Sequence, residues 1–341
     1  MKYKLFGKSG LRVSELCLGT MTFGEEWGWG TNKEESKKMF DAYTNAGGNF
    51  IDTANRYTEG TSEEWVGDFI TSDRDHFVVA TKYTLFTRHG DPNFSGNHRK
   101  NMVQALDASL KRLKTDYIDL YWLHAWDYTT PVEEVLRGLD DLVRAGKILY
   151  IGISDTPAWV VSQANTMAEL RGWSRFVGLQ IQYSLTERTV ERDLLPMARN
   201  FDMAVTPWGI IDAGILSGKY NKSSDEKGRA NMTNPIPERK LKIAEEVVKL
   251  AEEIGKPPSQ VAINWVRQQP GVIIPILGAR SEKHLNDNLA CLEFELTDEQ
   301  ISSLDEASKI DLGFPHEFLK KDAIRNIIFG GTYDQIVNHR K

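Results

Sequence analysis

The chain has 341 residues, 40% hydrophobic and 26% charged, a balance that suits a folded globular protein and excludes a disordered or fibrous one. A formal net charge of −6 supplies no whole-chain attraction for nucleic acid or for an acidic membrane surface. The two cysteines, Cys17 and Cys291, lie in apolar stretches without a CxxC pair, so buried thiols in a reducing compartment are expected.

The first expected element is a hairpin over Tyr3–Ser14, turning at Gly7-Lys8-Ser9-Gly10. Short apolar, β-branched or aromatic runs then recur at Leu16–Leu18, Phe50–Asp52, Phe77–Thr81, Tyr117–Leu123, Leu149–Ile153, Val177–Ile181, Met203–Thr206 and Val272–Ile276. Most are about 30 residues apart, the length of one strand–helix repeat. Several are continuously apolar, as parallel strands covered on both faces require. Helix starts fall between them. Thr130-Pro131 and Thr156-Pro157 offer a cap followed by proline, while Thr61-Ser62-Glu63-Glu64 and Thr297-Asp298-Glu299-Gln300 read as capping boxes.

This alternation predicts one α/β domain over residues 1–341, a (β/α)8 TIM barrel with an N-terminal β-hairpin and an extra C-terminal segment. The polar stretch Ile215–Pro237 reads as a long loop after the seventh strand, and the tail Leu312–Lys341 is expected to pack on the barrel. The N-terminus has no apolar signal region, and no apolar run approaches the roughly 20 residues that span a bilayer. A cytoplasmic location is expected, so the sequon triplets at Asn93, Asn221 and Asn231 carry no weight.

The chemistry gathers at strand ends. Asp52, Lys82 and His124 close the second, third and fourth runs, and Tyr57 follows Asp52 by one loop turn. Barrel active sites form on this face. A phenol with a pKa of about 10 is a weak acid, but a neighbouring ammonium favours the phenolate and lowers that pKa. Asp52 can keep Lys82 charged, and His124 can donate to a carbonyl oxygen as negative charge develops there. Singly, an Asp–Lys pair at a rim reads as a satisfied ion pair and a histidine as structural. Jointly, the set suits proton delivery during hydride addition to an aldehyde or ketone. The seven histidines form no HxH or HExxH cluster, so no metal is expected.

Further ordered motifs extend this pattern: Gly19-Thr20-Met21-Thr22-Phe23-Gly24, Asp52-Thr53-Ala54 with Tyr57, Gln180-Ile181-Gln182-Tyr183, Gly214-Ile215-Leu216-Ser217-Gly218-Lys219-Tyr220 and Pro275-Ile276-Leu277-Gly278-Ala279-Arg280. Over nearly its whole length the chain resembles the aldo-keto reductase superfamily, in the flavour of bacterial members and of the potassium-channel β-subunit branch. The resemblance implies NADP(H) lying across the barrel mouth without a Rossmann domain, which fits the lack of a GxGxxG between strand and helix.

By the same resemblance Asp52, Tyr57, Lys82 and His124 are the catalytic tetrad, with Tyr57 as general acid. Gly19, Thr20, Met21 and Asp52 would border the cofactor, and Ser154, Asp155 and Gln180 would meet the nicotinamide carboxamide. Trp208 would stack on the nicotinamide, with Gly209 and Ile211 beside it. Lys219 and Arg229 would clasp the pyrophosphate. Gly278 would also border the cofactor, Arg280 would meet the adenosine 2′-phosphate, and His284, Asp287 and Asn288 the adenosine. Trp27, Trp29, Phe86 and Trp126, in loops after the first, third and fourth strands, could wall an apolar substrate pocket.

Two departures stand out. Asp155 occurs where many relatives carry Asn, and His284 where Gln is frequent, which leaves the strictness of NADP over NAD open. The expected activity is NADPH-dependent reduction of a small carbonyl substrate (EC 1.1.1.-), with no nucleic-acid or membrane partner. The alternative is an NADP(H)-binding regulatory or interaction subunit with little turnover.

Overall fold

The computed structural model describes residues 1–222, 230 and 235–339. Strands β1 (Tyr3–Leu5) and β2 (Arg12–Ser14) pair antiparallel as the expected hairpin. Strands β3 (Cys17–Gly19), β4 (Phe50–Asp52), β5 (Val78–Tyr83), β6 (Ile118–Leu123), β7 (Ile148–Ser154), β8 (Phe176–Gln182), β9 (Ala204–Trp208) and β10 (Ile276–Leu277) make one parallel eight-stranded sheet. From β3 to β9 they lie in chain order, and β10 sits beside β3. A bridge between Val205 and Ile273 brings the chain ahead of β10 back to β9 and closes a (β/α)8 barrel.

The last strand differs from the expected Val272–Ile276. Val205 N donates to Val272 O and Ile274 N to Val205 O, each at 2.8 Å, whereas Ile276 and Leu277 pair with β3. Pro275 lies between the two pairings and has no N–H with which to continue one ladder.

The outer layer contains α1 (Lys33–Asn45), α2 (Thr61–Ile70), α3 (Arg99–Leu113), α4 (Val132–Arg144), α5 (Ala158–Arg171), α6 (Leu194–Asn200) and α7 (Lys219–Lys222). It continues with α8 (Glu238–Ile254), α9 (Pro258–Arg267), α10 (Glu282–Leu289) and α11 (Asp298–Ser308), and the chain then passes into α12 (His316–Leu319) and α13 (Asp322–Phe329). The capping box at Thr297 forms, with Gln300 N donating to Thr297 Oγ1 at 3.3 Å and Thr297 N to Gln300 Oε1 at 3.0 Å. The box expected at Thr61 does not form, because Gly60 (φ 102°) precedes α2 as its cap. Glu63 instead lies buried, taking Arg112 Nε at 2.6 Å and the Thr81 hydroxyl at 2.5 Å. Helices α4 and α5 begin one residue late, with Pro131 and Pro157 in the cap positions.

Alternation along each strand divides the core. Phe50, Ala80, Leu120, Trp122, Ala204 and Ile276 pack together inside the barrel, with Phe6 and Val13 from the hairpin closing its base. Ile51, Val79, Tyr121 and Leu123 point outward to the helices. Phe6 meets Phe50 and Trp122 edge-on, at 5.6 and 6.3 Å between ring centres. Two glycines make this packing possible: a Cβ on Gly152 would lie 2.2 Å from the Trp122 ring, and one on Gly178 2.6 Å from Phe6.

The tail does not pack as expected. No residue of α12 or α13 is buried, and Phe314 and Val337 are 83% and 92% exposed. Its aromatics pair locally, Phe314 with Phe318 and Phe329 with Tyr333, which satisfies part of their apolar surface without the barrel. Among the described residues, no helix is long and apolar enough to cross a membrane.

Candidate active site

One inward step beyond the apolar interior, six of the eight strands turn polar. Asp52 follows Phe50, Lys82 follows Ala80, His124 follows Trp122, Ser154 follows Gly152, Gln180 follows Gly178 and Thr206 follows Ala204, each by two residues. The period of two therefore raises all six to the C-terminal rim of the barrel.

Lys82 is completely buried and donates to Asp52 Oδ2 at 2.5 Å, Thr53 O at 2.8 Å and Tyr57 Oη at 3.0 Å. All three ammonium protons therefore have acceptors. Gln180 Nε2 reaches across the barrel to the other Asp52 oxygen at 2.9 Å. The Tyr57 and His124 rings stand nearly perpendicular, 6.0 Å apart. The structure thus brings Asp52, Tyr57, Lys82 and His124 together at the rim.

The charges settle differently from the sequence expectation. Burial pushes the Tyr57 phenol above its ordinary pKa, and the Lys82 ammonium offsets only part of that rise. Burial also works to strip the Lys82 proton, but Asp52 and Tyr57 outweigh it and hold the lysine above its usual value. Burial, and then Lys82, pull His124 down to about 3, so its imidazole is neutral. The site at neutral pH is a protonated phenol, an ammonium and an uncharged imidazole, which is a donor set aimed at an oxygen.

The residues expected at the cofactor follow the same rim. Gly19 ends β3, Thr20 donates to Asp52 O at 3.0 Å, and Met21 follows half-buried. Ser154 Oγ is buried without a hydrogen-bond partner among the described residues. Asp155 adopts a left-handed φ of 40° and accepts the Trp208 indole N–H at 3.3 Å. Trp208 ends β9 half-buried, followed by Gly209 and a half-buried Ile211. Lys219 begins α7 beside Gly214, and Arg229 lies outside the described residues.

Gly278 and Arg280 are exposed after β10, with Arg280 ahead of the α10 cap Ser281 rather than inside the helix. His284 and Asp287 are exposed on α10, while Asn288 is buried. A nucleotide fits this donor set. The unpaired Ser154 hydroxyl and the Trp208 face would suit a carboxamide-bearing ring, and the space over Gly278 is open.

Of the expected pocket aromatics, Trp27 packs on Trp29 at 5.5 Å and stands edge-on to Tyr57 at 6.4 Å. Phe86 lies under the Arg56 guanidinium at 4.5 Å, and Trp126 is half-buried against the outer core. Sequence reasoning gave Arg56 and Glu59 no role. Arg56 pairs with Glu59, which accepts the Trp27 indole N–H at 3.1 Å, so one polar pair braces both walls around Tyr57. Asn55 had no role either, and both of its buried side-chain amide atoms lack partners among the described residues. The adjacency of Asn55 and Arg56 to Tyr57 was the available signal.

A parallel barrel with Asp52, Tyr57, Lys82 and His124 at its rim defines a class of barrel oxidoreductase. Residues 15–309 match the Aldo/keto reductase family, and the chain belongs to that family. It is 40% identical to an aryl-alcohol dehydrogenase of Phanerodontia chrysosporium whose name specifies NADP(+), over 96% of this chain and 91% of that protein. It is 38% identical to the norsolorinic acid reductase of Aspergillus flavus, over 92% of this chain and 83% of the relative. The putative aryl-alcohol dehydrogenase AAD14 of Saccharomyces cerevisiae is also 38% identical, with 92% and 88% covered. These relatives are fungal; they carry the family and lend no weight to a bacterial or channel-subunit branch.

Proposed function

We propose that the protein reduces aromatic aldehydes or ketones to alcohols using NADPH. The carrying observation is the Lys82 ammonium held between Asp52 and the Tyr57 hydroxyl at the rim of a closed barrel. A bound reduced nicotinamide would supply hydride to the carbonyl carbon. Tyr57 gives its proton to the carbonyl oxygen, and Lys82 stabilises the phenolate left behind. Asp52 keeps that ammonium charged in a site where burial opposes it. Neutral His124 donates its ring N–H to the same oxygen without bringing a charge of its own.

Trp27, Trp29 and the Arg56–Phe86 stack favour a planar ring as substrate, which agrees with the names of the aryl-alcohol dehydrogenase relatives. Arg280 favours the phosphorylated dinucleotide. The regulatory-subunit reading has less support, because such a role requires no acid–ammonium–carboxylate chain.

Tyr57→Phe tests the assignment. With 4-nitrobenzaldehyde, NADPH consumption should fall by about 10²-fold or more, the usual worth of a positioned acid. Quenching of tryptophan fluorescence by NADPH should persist. A variant that turns over like the wild type would remove Tyr57 from its role.

A further inference from the structure

Thr84 lies two residues beyond Lys82, just past the end of β5, with φ at 103°. A branched Cβ makes that conformation costly, and glycine is the residue that ordinarily fills it. An outlier of this kind beside a reaction centre calls for a compensating contact.

The contact is the hydroxyl. Thr84 Oγ1 accepts the backbone N–H of His124 at 3.2 Å and donates to Asn97 Oδ1 at 2.8 Å. The Thr84 carbonyl accepts Gly96 N–H at 2.7 Å, so its carbonyl and its hydroxyl are both tied to the segment before α3. Asn97 is fully buried and donates its own N–H to Asp127 Oδ2 at 2.7 Å. Asp127 also accepts Thr129 N, Thr130 N and the Thr130 hydroxyl, at 2.8, 2.9 and 2.7 Å. A continuous path thus runs from the main chain of His124 through Thr84 and Asn97 to the loop after β6. That path joins the loops carrying Phe86 and Trp126.

His124 needs such a tether. It stands one residue past the end of β6, and its ring Nδ1 is buried without a partner among the described residues. No side-chain hydrogen bond on that nitrogen fixes the ring, so its aim depends on where its backbone is held. Besides Thr84, the His124 N–H reaches only Tyr83 O among the described residues, at 3.2 Å.

We infer that Thr84 is a positioning residue for carbonyl reduction, its hydroxyl holding His124 in register with Tyr57 through the tie to Asn97 and Asp127. The inference rests on the reductase reading of the tetrad. Thr84 touches none of the reacting groups itself.

The test compares Thr84→Val, Thr84→Ser and Thr84→Gly in the full chain, with 4-nitrobenzaldehyde and NADPH. Thr84→Val should lower kcat about tenfold, the scale on which small misplacements of a reacting group act, with KM and NADPH fluorescence quenching nearly unchanged. Thr84→Ser should recover the lost turnover. Thr84→Gly relieves the backbone but removes the same hydroxyl, so it should turn over as slowly as the valine variant. If Thr84→Val fails to fold, Thr84→Ala removes the same hydroxyl and is read in its place. Full turnover without the hydroxyl, or no recovery with serine, overturns the inference while leaving the reductase reading intact. A wild type that binds NADPH but reduces no carbonyl compound overturns both.

Discussion

His124 shows how far one side chain's surroundings can move its chemistry. Its free imidazole would titrate near 6.5, but in the folded site it stays neutral down to about 3. Between these values the unfolded chain binds more protons than the folded one, so stability should rise with pH across that window and be fully restored above it. His124→Gln removes this contribution. The difference in urea-unfolding free energy between wild type and variant should therefore grow more favourable to the wild type from about pH 4 to pH 7, and a pH-independent difference would contradict the shift. The tetrad was legible because apolar runs ended in Asp52, Lys82 and His124, and strand alternation fixes where such ends point. The direction of the Tyr57 shift was not, because it depends on how deeply the phenol is buried, which spacing does not encode. Thr84 was equally hidden, since its role depends on a left-handed backbone and on a partner in another loop.

At the scale of elements, the hairpin contributes more than an edge. Phe6 fills the base of the barrel beneath Trp122, in space opened by Gly178. Phe6→Ala should destabilise by about 3–5 kcal/mol, the range for emptying a buried aromatic site. Urea denaturation measures it, and a loss below 1 kcal/mol would mean the base closes by collapse. The hairpin was readable from its flanking strands and central glycines, and most barrel strands from their apolar runs. The eighth strand was misread because Pro275 lies inside a run that is otherwise apolar, and composition does not reveal which neighbour each half will choose. The Thr61 box failed because Gly60, with a left-handed φ, takes the cap position, a backbone choice that composition does not reveal. In the tail, aromatic content suggested packing, yet local pairs between Phe329 and Tyr333 already use part of that surface.

Over the whole molecule, a cage with a polar rim above an apolar plug separates the work of folding from the work of catalysis. Its walls are not equally strong. Neighbouring strands such as β6 and β7 share an extended ladder, whereas the join between β9 and the chain before β10 depends on the bonds around Val205. That join is a seam, and spontaneous opening of the cylinder should begin there. The amide of Ile274 should accordingly exchange with deuterium sooner than those of Tyr121 or Ile151, and equal protection would argue against a weak closure. Trp208 and Arg280 flank the upper end of this seam. A dinucleotide laid between them would act as a clasp on the cylinder as well as a reagent, and adding NADPH should slow exchange at Ile274 before it slows it anywhere else.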